Sequence, residues 1–228
     1  WCTWMFGRDL VNWNNNFTWA KWVTPSRDLI NAFKKEGDQI RFQESVVYYD
    51  CNWSNYYPSD NYPFMYKCRS ANSSIIKYRY ADVLLLKAEA LIMQDTPDLE
   101  AAAKIIDEVR ERAGMPTYAD MTQTELRERI RNERRIELSF EDQRYFDVRR
   151  WMLFENTDAD EEQGLPRYKQ LLNLYGVKVT GTAAAPTYTF GFAETVNTRT
   201  FISPKSYYFP IPSNEVKRAP KLGQNPGW

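Results

Sequence analysis

Histidine is absent from this 228-residue chain. A Ser-His-Asp or Cys-His catalytic set is therefore excluded, and so is any zinc site with histidine ligands. Cysteine is scarce, with Cys2, Cys51 and Cys68 as its three copies. Cys51 and Cys68 flank a loop rich in Pro, Tyr and Asn, and they would close a small disulfide in an oxidising compartment. Three free thiols are an equally good interpretation, so the cysteines do not assign a compartment.

The chain also has no excess of charge of either sign, because its 30 basic residues balance its 30 acidic residues. This balance gives no reason to bind nucleic acid or an anionic membrane. No apolar run approaches the roughly 20 residues of a membrane-spanning helix, since Asp82, Lys87 and Glu89 interrupt the longest one. Residue 1 is Trp, without a signal peptide or lipidated cysteine in view, so we interpret the chain as processed or as a fragment.

Aromatic residues are abundant, at 15% of the chain, and they are concentrated near its start. Five tryptophans fall within residues 1–22 among several asparagines, and a Tyr-rich stretch follows at 48–66. These residues show no helical or strand period. Aromatic rings stack on the apolar faces of sugars while amides meet the hydroxyl groups, so a sugar-binding surface is one interpretation. The other is that the large rings fill a core; Tyr78 and Tyr80 are assigned to the core on this basis.

Periodicity predicts a mainly helical protein. Pro25 in a first turn and Gly37 at an end mark one helix, and residues 40–49 alternate loosely as a short strand would. From residue 75 two helices with apolar faces follow, the first mostly buried, and together they resemble one tetratricopeptide-type hairpin. Thr122 and Glu125 form a capping box that opens a third, highly charged helix. The Pro-punctuated tail from residue 207 is expected to lie extended over a preformed surface.

The charged helix places carboxylates where an apolar stripe should run. Residues that follow Leu126 and Ile130 on the same helix face, at three- and four-residue spacing, include Glu133, Glu137 and Glu141. Arginines of the same segment (134, 135, 144, 149 and 150) are the expected partners. A glycosidase-type carboxylate pair is the catalytic interpretation, but nearby arginines would depress the pKa values whereas a general acid needs a raised one. We therefore predict a structural ion-pair network of Glu133, Arg134, Arg135, Glu137, Glu141, Arg144 and Asp147, with no catalytic residue, metal or cofactor.

Several ordered motifs resemble the SusD/RagB family of outer-membrane nutrient-binding lipoproteins. They are RYADVLLLKAEA (79–90), VRERAG (109–114), NERRIELSFE (132–141) running into RYFDVRRW (144–151), and FPIP (209–212) with QNPG (224–227). One departure is Asp142, where the family more often has Gly. The resemblance is to the C-terminal half of the family and spans nearly the whole chain.

The resemblance implies a mainly α, SusD-like fold: a tetratricopeptide-like hairpin plus an irregular, loop-rich region with a few short strands. A single region 1–228 is expected, with an aromatic-rich ligand-facing part (1–74), a helical scaffold (75–154), and loops, short strands and a Pro-rich tail (155–228). Because sugar-stacking aromatics of the family fall in irregular segments ahead of the Thr-Pro helix, the favoured ligand contacts are Trp4, Trp13 and Trp19, together with Asn14. Tyr56 and Tyr57, on the later Tyr-rich loop, are the second candidates.

The resemblance also implies a function without chemistry. The protein would bind oligosaccharide or polysaccharide at the cell surface and deliver it to a SusC-like TonB-dependent transporter. It would lie on the extracellular face of the outer membrane, held by a lipid anchor outside this chain. The alternatives are a SusD-like binder of peptides or another nutrient, and a helical protein–protein adaptor; the adaptor would need several repeats, and the sequence shows one hairpin.

Overall fold

The computed structural model describes residues 23–47, 63–67, 76–155, 173–175, 178–181, 186–189, 195–198, 200–219 and 221–228. The chain packs as two compact units, one of residues 1–144 with 175–194 and the other of residues 145–174 with 195–228. The single region expected from the sequence stays a prediction. Within the described ranges, no helix has the length and apolar character needed to cross a bilayer.

The described elements are mainly helices, with short strands. In chain order they are α1 (Arg27–Glu36), α2 (Gln39–Ser45), β1 (Val46–Val47), β2 (Phe64–Met65), α3 (Tyr80–Ile92), α4 (Leu99–Arg112), α5 (Gln123–Glu137), α6 (Gln143–Arg150), β3 (Asn173–Tyr175), β4 (Lys178–Gly181), β5 (Pro186–Thr189), β6 (Thr195–Thr198) and α7 (Ser213–Arg218). The strands form two-stranded sheets β1–β2, β3–β6 and β4–β5. The predicted fold class is confirmed.

Helices α3 and α4 pack as the predicted hairpin, and α5 packs against both. Their shared core holds apolar residues at helical spacing from all three helices: Leu85, Ala88, Ile92, Ala102, Ile106, Val109, Leu126 and Ile130, closed by Tyr118. A second cluster joins Ile136 of α5 to α1, α2 and β1 through Ile30, Phe33, Phe42 and Val46. Helix α5 therefore links two cores, which explains why its last turns are buried.

Helix α1 ends at Gly37 as predicted, but Pro25 precedes its N-cap, Ser26, instead of lying in the first turn. The Ser26 hydroxyl accepts a hydrogen bond from the Leu29 amide at 3.3 Å, and the helix ends at Gly37 in the left-handed conformation, with φ 70°. The strand expected at 40–49 is wrong over most of its length, because α2 covers Gln39–Ser45. The Asp38 carboxylate accepts from the Arg41 amide at 3.0 Å and so starts this second helix.

The expectation that α3 is mostly buried is also wrong. Asp82, Leu85, Ala88, Glu89 and Ile92 form its buried face. On the other side an apolar stripe is exposed, for example at Val83, where 55% of the residue is accessible. Tyr78 and Tyr80, assigned to the core from the sequence, are 83% and 70% exposed. Apolar composition alone does not determine which face of a helix is covered.

The capping box of α5 is present, as predicted. The Glu125 amide donates to the Thr122 hydroxyl at 3.3 Å, and the Glu125 carboxylate accepts from the Thr122 amide at 2.9 Å. Replacing Thr122 with Ala removes the hydroxyl acceptor, so we expect the free energy of unfolding to fall by about 1 kcal/mol. Urea denaturation measures this loss. Thr124→Ala, an exposed change inside the same first turn, is the matched control and should leave the urea midpoint close to that of the parent; equal losses in both variants would contradict the capping role.

In the second unit, hydrogen bonds join the two Pro-containing motifs of the tail, FPIP and QNPG. The Gln224 side chain accepts from the Ile211 amide at 2.7 Å and donates to its carbonyl at 2.9 Å, and Asn225 donates to the Phe209 carbonyl at 2.7 Å. These amides supply backbone partners beside prolines, which have no N–H to donate. Gly227 lies at φ 85°, and a Cβ there would approach Lys205 Cβ to 2.8 Å. Helix α7 shows that the tail is not extended throughout, contrary to the prediction.

Candidate functional site

The carboxylates singled out from the sequence lie at the end of α5 and in the turn that follows it. Glu133, Glu137 and Glu141 are buried, with 1%, 3% and 8% of each residue exposed. Helix α5 ends at Glu137, and Phe140 and Asp142 adopt left-handed backbone at φ 63° and 62°. Since Gly adopts that conformation without strain, the backbone at Asp142 explains why a glycine would suit this position. The turn keeps Glu141 buried after the helix has ended.

Each of these carboxylates contacts more than one cation. Glu133 accepts from Arg41 Nη1 at 2.6 Å and from Arg110 Nη1 at 2.9 Å. Glu137 accepts from Arg41 Nη1 at 2.9 Å and from Arg79 Nη1 at 2.7 Å. It also pairs with Arg112. Multiple charge-assisted hydrogen bonds are what a buried carboxylate needs to remain ionised.

Glu141 completes the network with two further contacts. It accepts from Lys67 Nζ at 2.8 Å and from Arg79 Nε at 2.6 Å. The same two cations donate to the Glu137 backbone carbonyl, both at 2.7 Å. They thus satisfy an orphan carbonyl at the C-terminus of α5, where the helix dipole favours positive charge.

The cations come from other elements than predicted. Arginines of the charged segment itself were expected to neutralise Glu133, Glu137 and Glu141. The contacting cations described above lie instead in α2, in α4, at the start of α3 and at Lys67, two residues after β2. Arg134 instead pairs with Asp82 of α3 at 2.8 Å, and Arg135 pairs with Asp28 of α1. For Glu133 the correction has a geometric reason: Arg134 and Arg135 follow it by one and two positions, and side chains at those separations on a helix do not face each other.

The remaining predicted members lie in or next to α6. Asp147 is buried and accepts from Arg150 at 2.8 Å, one turn further along. Arg144 is half-buried. The Arg149 guanidinium lies 4.9 Å from the Tyr145 ring centre and 5.3 Å from that of Phe209. Asp147 and Arg149 thus make local ion-pair and cation–π contacts within the second unit, whereas Arg144 belongs to the first unit.

Electrostatics argue against acid catalysis by Glu137. Burial by itself would raise the pKa of this carboxyl, but hydrogen bonds from Arg79 and Arg41 and the charge of Arg112 hold the pKa below its usual value. A general acid for glycoside hydrolysis needs the opposite shift. Burial lowers the pKa of the Lys67 ammonium, an effect that Glu141 partly offsets. The network is built to hold charge rather than to transfer protons.

Sequence reasoning missed the five cations described above that contact Glu133, Glu137 and Glu141. Arg79, Arg110 and Arg112 lie within the quoted motifs RYADVLLLKAEA and VRERAG, and their positions there were the signal. No pattern indicated Arg41 or Lys67, because they reach Glu133, Glu137 and Glu141 from distant parts of the chain. The predicted ligand contacts Trp4, Trp13, Trp19, Asn14, Tyr56 and Tyr57, and the three cysteines, lie outside the described residues. Within the described part of the chain, no group of three or more acidic or cysteine side chains is arranged to hold a metal ion.

Solved structures of other proteins resemble the fold of this chain. A SusD-like carbohydrate binding protein from Bacteroides fragilis is 25% identical, with a TM-score of 0.54 over 81% of this chain and 41% of its own. A SusD homolog from Bacteroides thetaiotaomicron, at 22% identity, shares the fold with a TM-score of 0.58 over 88% of this chain and 43% of its own. The chain thus spans less than half of these relatives.

Sequence comparison agrees with the structural one. "SusD-like protein P2" of Formosa agariphila is 37% identical over 93 residues, which are 37% of this chain and 18% of the relative. The sequence profile of the SusD family matches residues 59–228. That match covers most of the chain, including the α3–α4 hairpin, the carboxylates Glu133, Glu137 and Glu141, and the tail. The chain belongs to the SusD family.

Proposed function

We propose that this protein binds oligosaccharide or polysaccharide at the bacterial cell surface without chemically altering it. Family membership supports the proposal, together with the relative from Bacteroides fragilis whose name describes carbohydrate binding. The observation that carries the non-catalytic part is the pairing of the buried carboxylates Glu133, Glu137 and Glu141 with cations of other elements. These carboxylates hold α2, α3, α4 and α5 together, and the lowered pKa of Glu137 is the opposite of what a general acid needs.

The bound glycan would pass to a SusC-like TonB-dependent transporter at the outer membrane. A lipid anchor outside this chain would hold the protein on the extracellular face. Both statements rest on membership of the SusD family. Binding in this scheme needs affinity and release rather than acid–base groups, which agrees with the ion pairing of the buried carboxylates Glu133, Glu137 and Glu141.

Trp4, Trp13 and Trp19 are proposed to stack on the sugar, with Asn14, Tyr56 and Tyr57 completing the contacts. Single Trp→Ala changes should weaken binding about 2–10-fold, since an aromatic stacking contact contributes about 0.5–1.5 kcal/mol. Affinity electrophoresis in gels that contain soluble plant, algal or host polysaccharides measures the effect. Urea denaturation of each variant checks that folding is unchanged.

Tyr80→Ala is the matched control, because Tyr80 is 70% exposed on α3 and lies in the scaffold. It should keep the mobility of the parent in every gel that retards the protein. If all three tryptophan variants kept full affinity, the proposed stacking surface would be wrong. Binding of peptides instead of any polysaccharide would contradict the proposed ligand class while leaving the scaffold intact.

A further inference from the structure

The first unit contains an open groove that the ion-pair network does not use. It runs along the outer face of α4 and is bounded on the other side by the connection from α4 to α5 and the start of α5. Its volume is about 760 Å³. A groove of this size accommodates several side chains of a polypeptide segment.

The floor of the groove is apolar and rigid. Leu99, Ala103 and Met121 are half-buried there, beside Tyr118 and Leu126 of the core. Tyr118 is held on several sides: the Arg110 guanidinium stacks 3.9 Å from its ring centre and donates to its hydroxyl at 2.7 Å. The Tyr118 amide donates to Asp107 at 2.8 Å. The floor is thus preformed and would not need to reorganise on binding.

The rim of the groove is acidic. Glu100, Asp107, Glu108 and Glu111 follow one face of α4, and Asp120 faces them from the connection; Lys104 is the cation of the lining. Among the described residues, none forms an ion pair with Glu100, Glu108, Glu111 or Asp120, in contrast to the buried carboxylates of the network. Like charges at three- and four-residue steps repel one another. A ligand with positive charge would relieve that repulsion.

We propose that this groove binds a basic amphipathic segment of a protein partner. Apolar side chains of the segment would lie on Leu99, Ala103 and Met121, while lysines or arginines pair with the acidic rim. This combination of an apolar floor and complementary charge is how grooves recognise amphipathic helices. A sugar fits less well, because the one aromatic ring of the lining, Tyr118, is buried and already stacked by Arg110.

The test uses a short fluorescent Leu/Lys peptide designed as an amphipathic helix, with fluorescence anisotropy of the purified protein as the readout. The peptide should bind at low salt and weaken as salt is raised. Reversing charge in the rim with Glu108→Lys/Glu111→Lys should weaken binding about tenfold. A peptide with Ser in place of Leu and all lysines kept should not bind, because it lacks the apolar face.

The control is Asp95→Lys/Glu128→Lys, which changes the net charge by the same amount at exposed positions outside the groove. It should bind the Leu/Lys peptide as the parent does. Equal weakening in both double variants would show attraction to overall charge and overturn the proposal. So would absence of binding by the parent protein, or equal binding of the Ser peptide. If Glu108→Lys/Glu111→Lys were no longer retarded in polysaccharide gels while the parent and the control variant still were, the groove would be assigned to carbohydrate instead.

Discussion

Glu137→Ala is expected to lower the free energy of unfolding by about 3–5 kcal/mol, the cost of leaving buried cations without their partner. Glu137 is 3% exposed and contacts Arg41, Arg79 and Arg112. Removing the carboxylate leaves Arg41, which is 8% exposed, facing fewer counter-charges in a poorly solvated place. Urea denaturation followed by far-UV circular dichroism measures the change in unfolding free energy.

Glu128→Ala provides the matched control on the same helix. Its ion pair with Arg131 lies at the surface, with 44% of the Glu128 side chain exposed, and surface pairs contribute only about 0–1 kcal/mol. We therefore expect a small change in the urea midpoint for Glu128→Ala and a large one for Glu137→Ala. Midpoints that shift equally in the two variants would mean that the buried network does not stabilise the fold.

The second large effect concerns the buried pair that joins α5 to α3. Arg134 and Asp82 are 2% and 3% exposed, and their side chains are 2.8 Å apart. Arg134→Met removes the arginine partner of the buried Asp82 carboxylate, and Asp82→Leu removes a buried counter-charge of Arg134, so each single change should cost about 3–5 kcal/mol. The double variant removes both charges from the interior, and its loss should be smaller than the sum of the two by about 0.5–3 kcal/mol.

A double-mutant cycle of unfolding free energies measures this coupling. Ile106→Val combined with Arg134→Met is a suitable reference, because Ile106 packs in the core of α3, α4 and α5 and is not part of the ion pair. That combination should be close to additive. If Asp82→Leu and Arg134→Met were additive too, the contact between them would not contribute the proposed coupling.

The sequence predicted features whose cause is local. The capping box at Thr122, the end of α1 at Gly37 and the burial of Glu133, Glu137 and Glu141 follow from chemistry within a few residues. The partners of these carboxylates do not, since Arg41 and Glu133 are separated by 92 positions along the chain. Single-sequence patterns contain no information about contacts at that distance.

Two errors show where tertiary context overrides local pattern. Residues 39–45 alternate loosely, yet capping by Asp38 and burial of Phe42 against Phe33 make them helical, with the two ring centres 5.3 Å apart. Helix α3 has apolar residues on every side and places Asp82 and Glu89 on its buried face, so its composition could not indicate that Tyr80 and Val83 face outwards. The ligand site was predicted mainly from the aromatic composition of residues 1–22. That composition does not indicate which individual side chains contact the ligand.

The central claim is that this member of the SusD family binds glycan and leaves it intact. Incubating the purified protein with a panel of polysaccharides, with calorimetry for binding and a reducing-sugar assay for cleavage, tests both parts in one sample. We predict heat of binding with at least one polysaccharide and no release of reducing sugar. Sugar release that disappears in Glu137→Gln, with folding unchanged, would contradict the account.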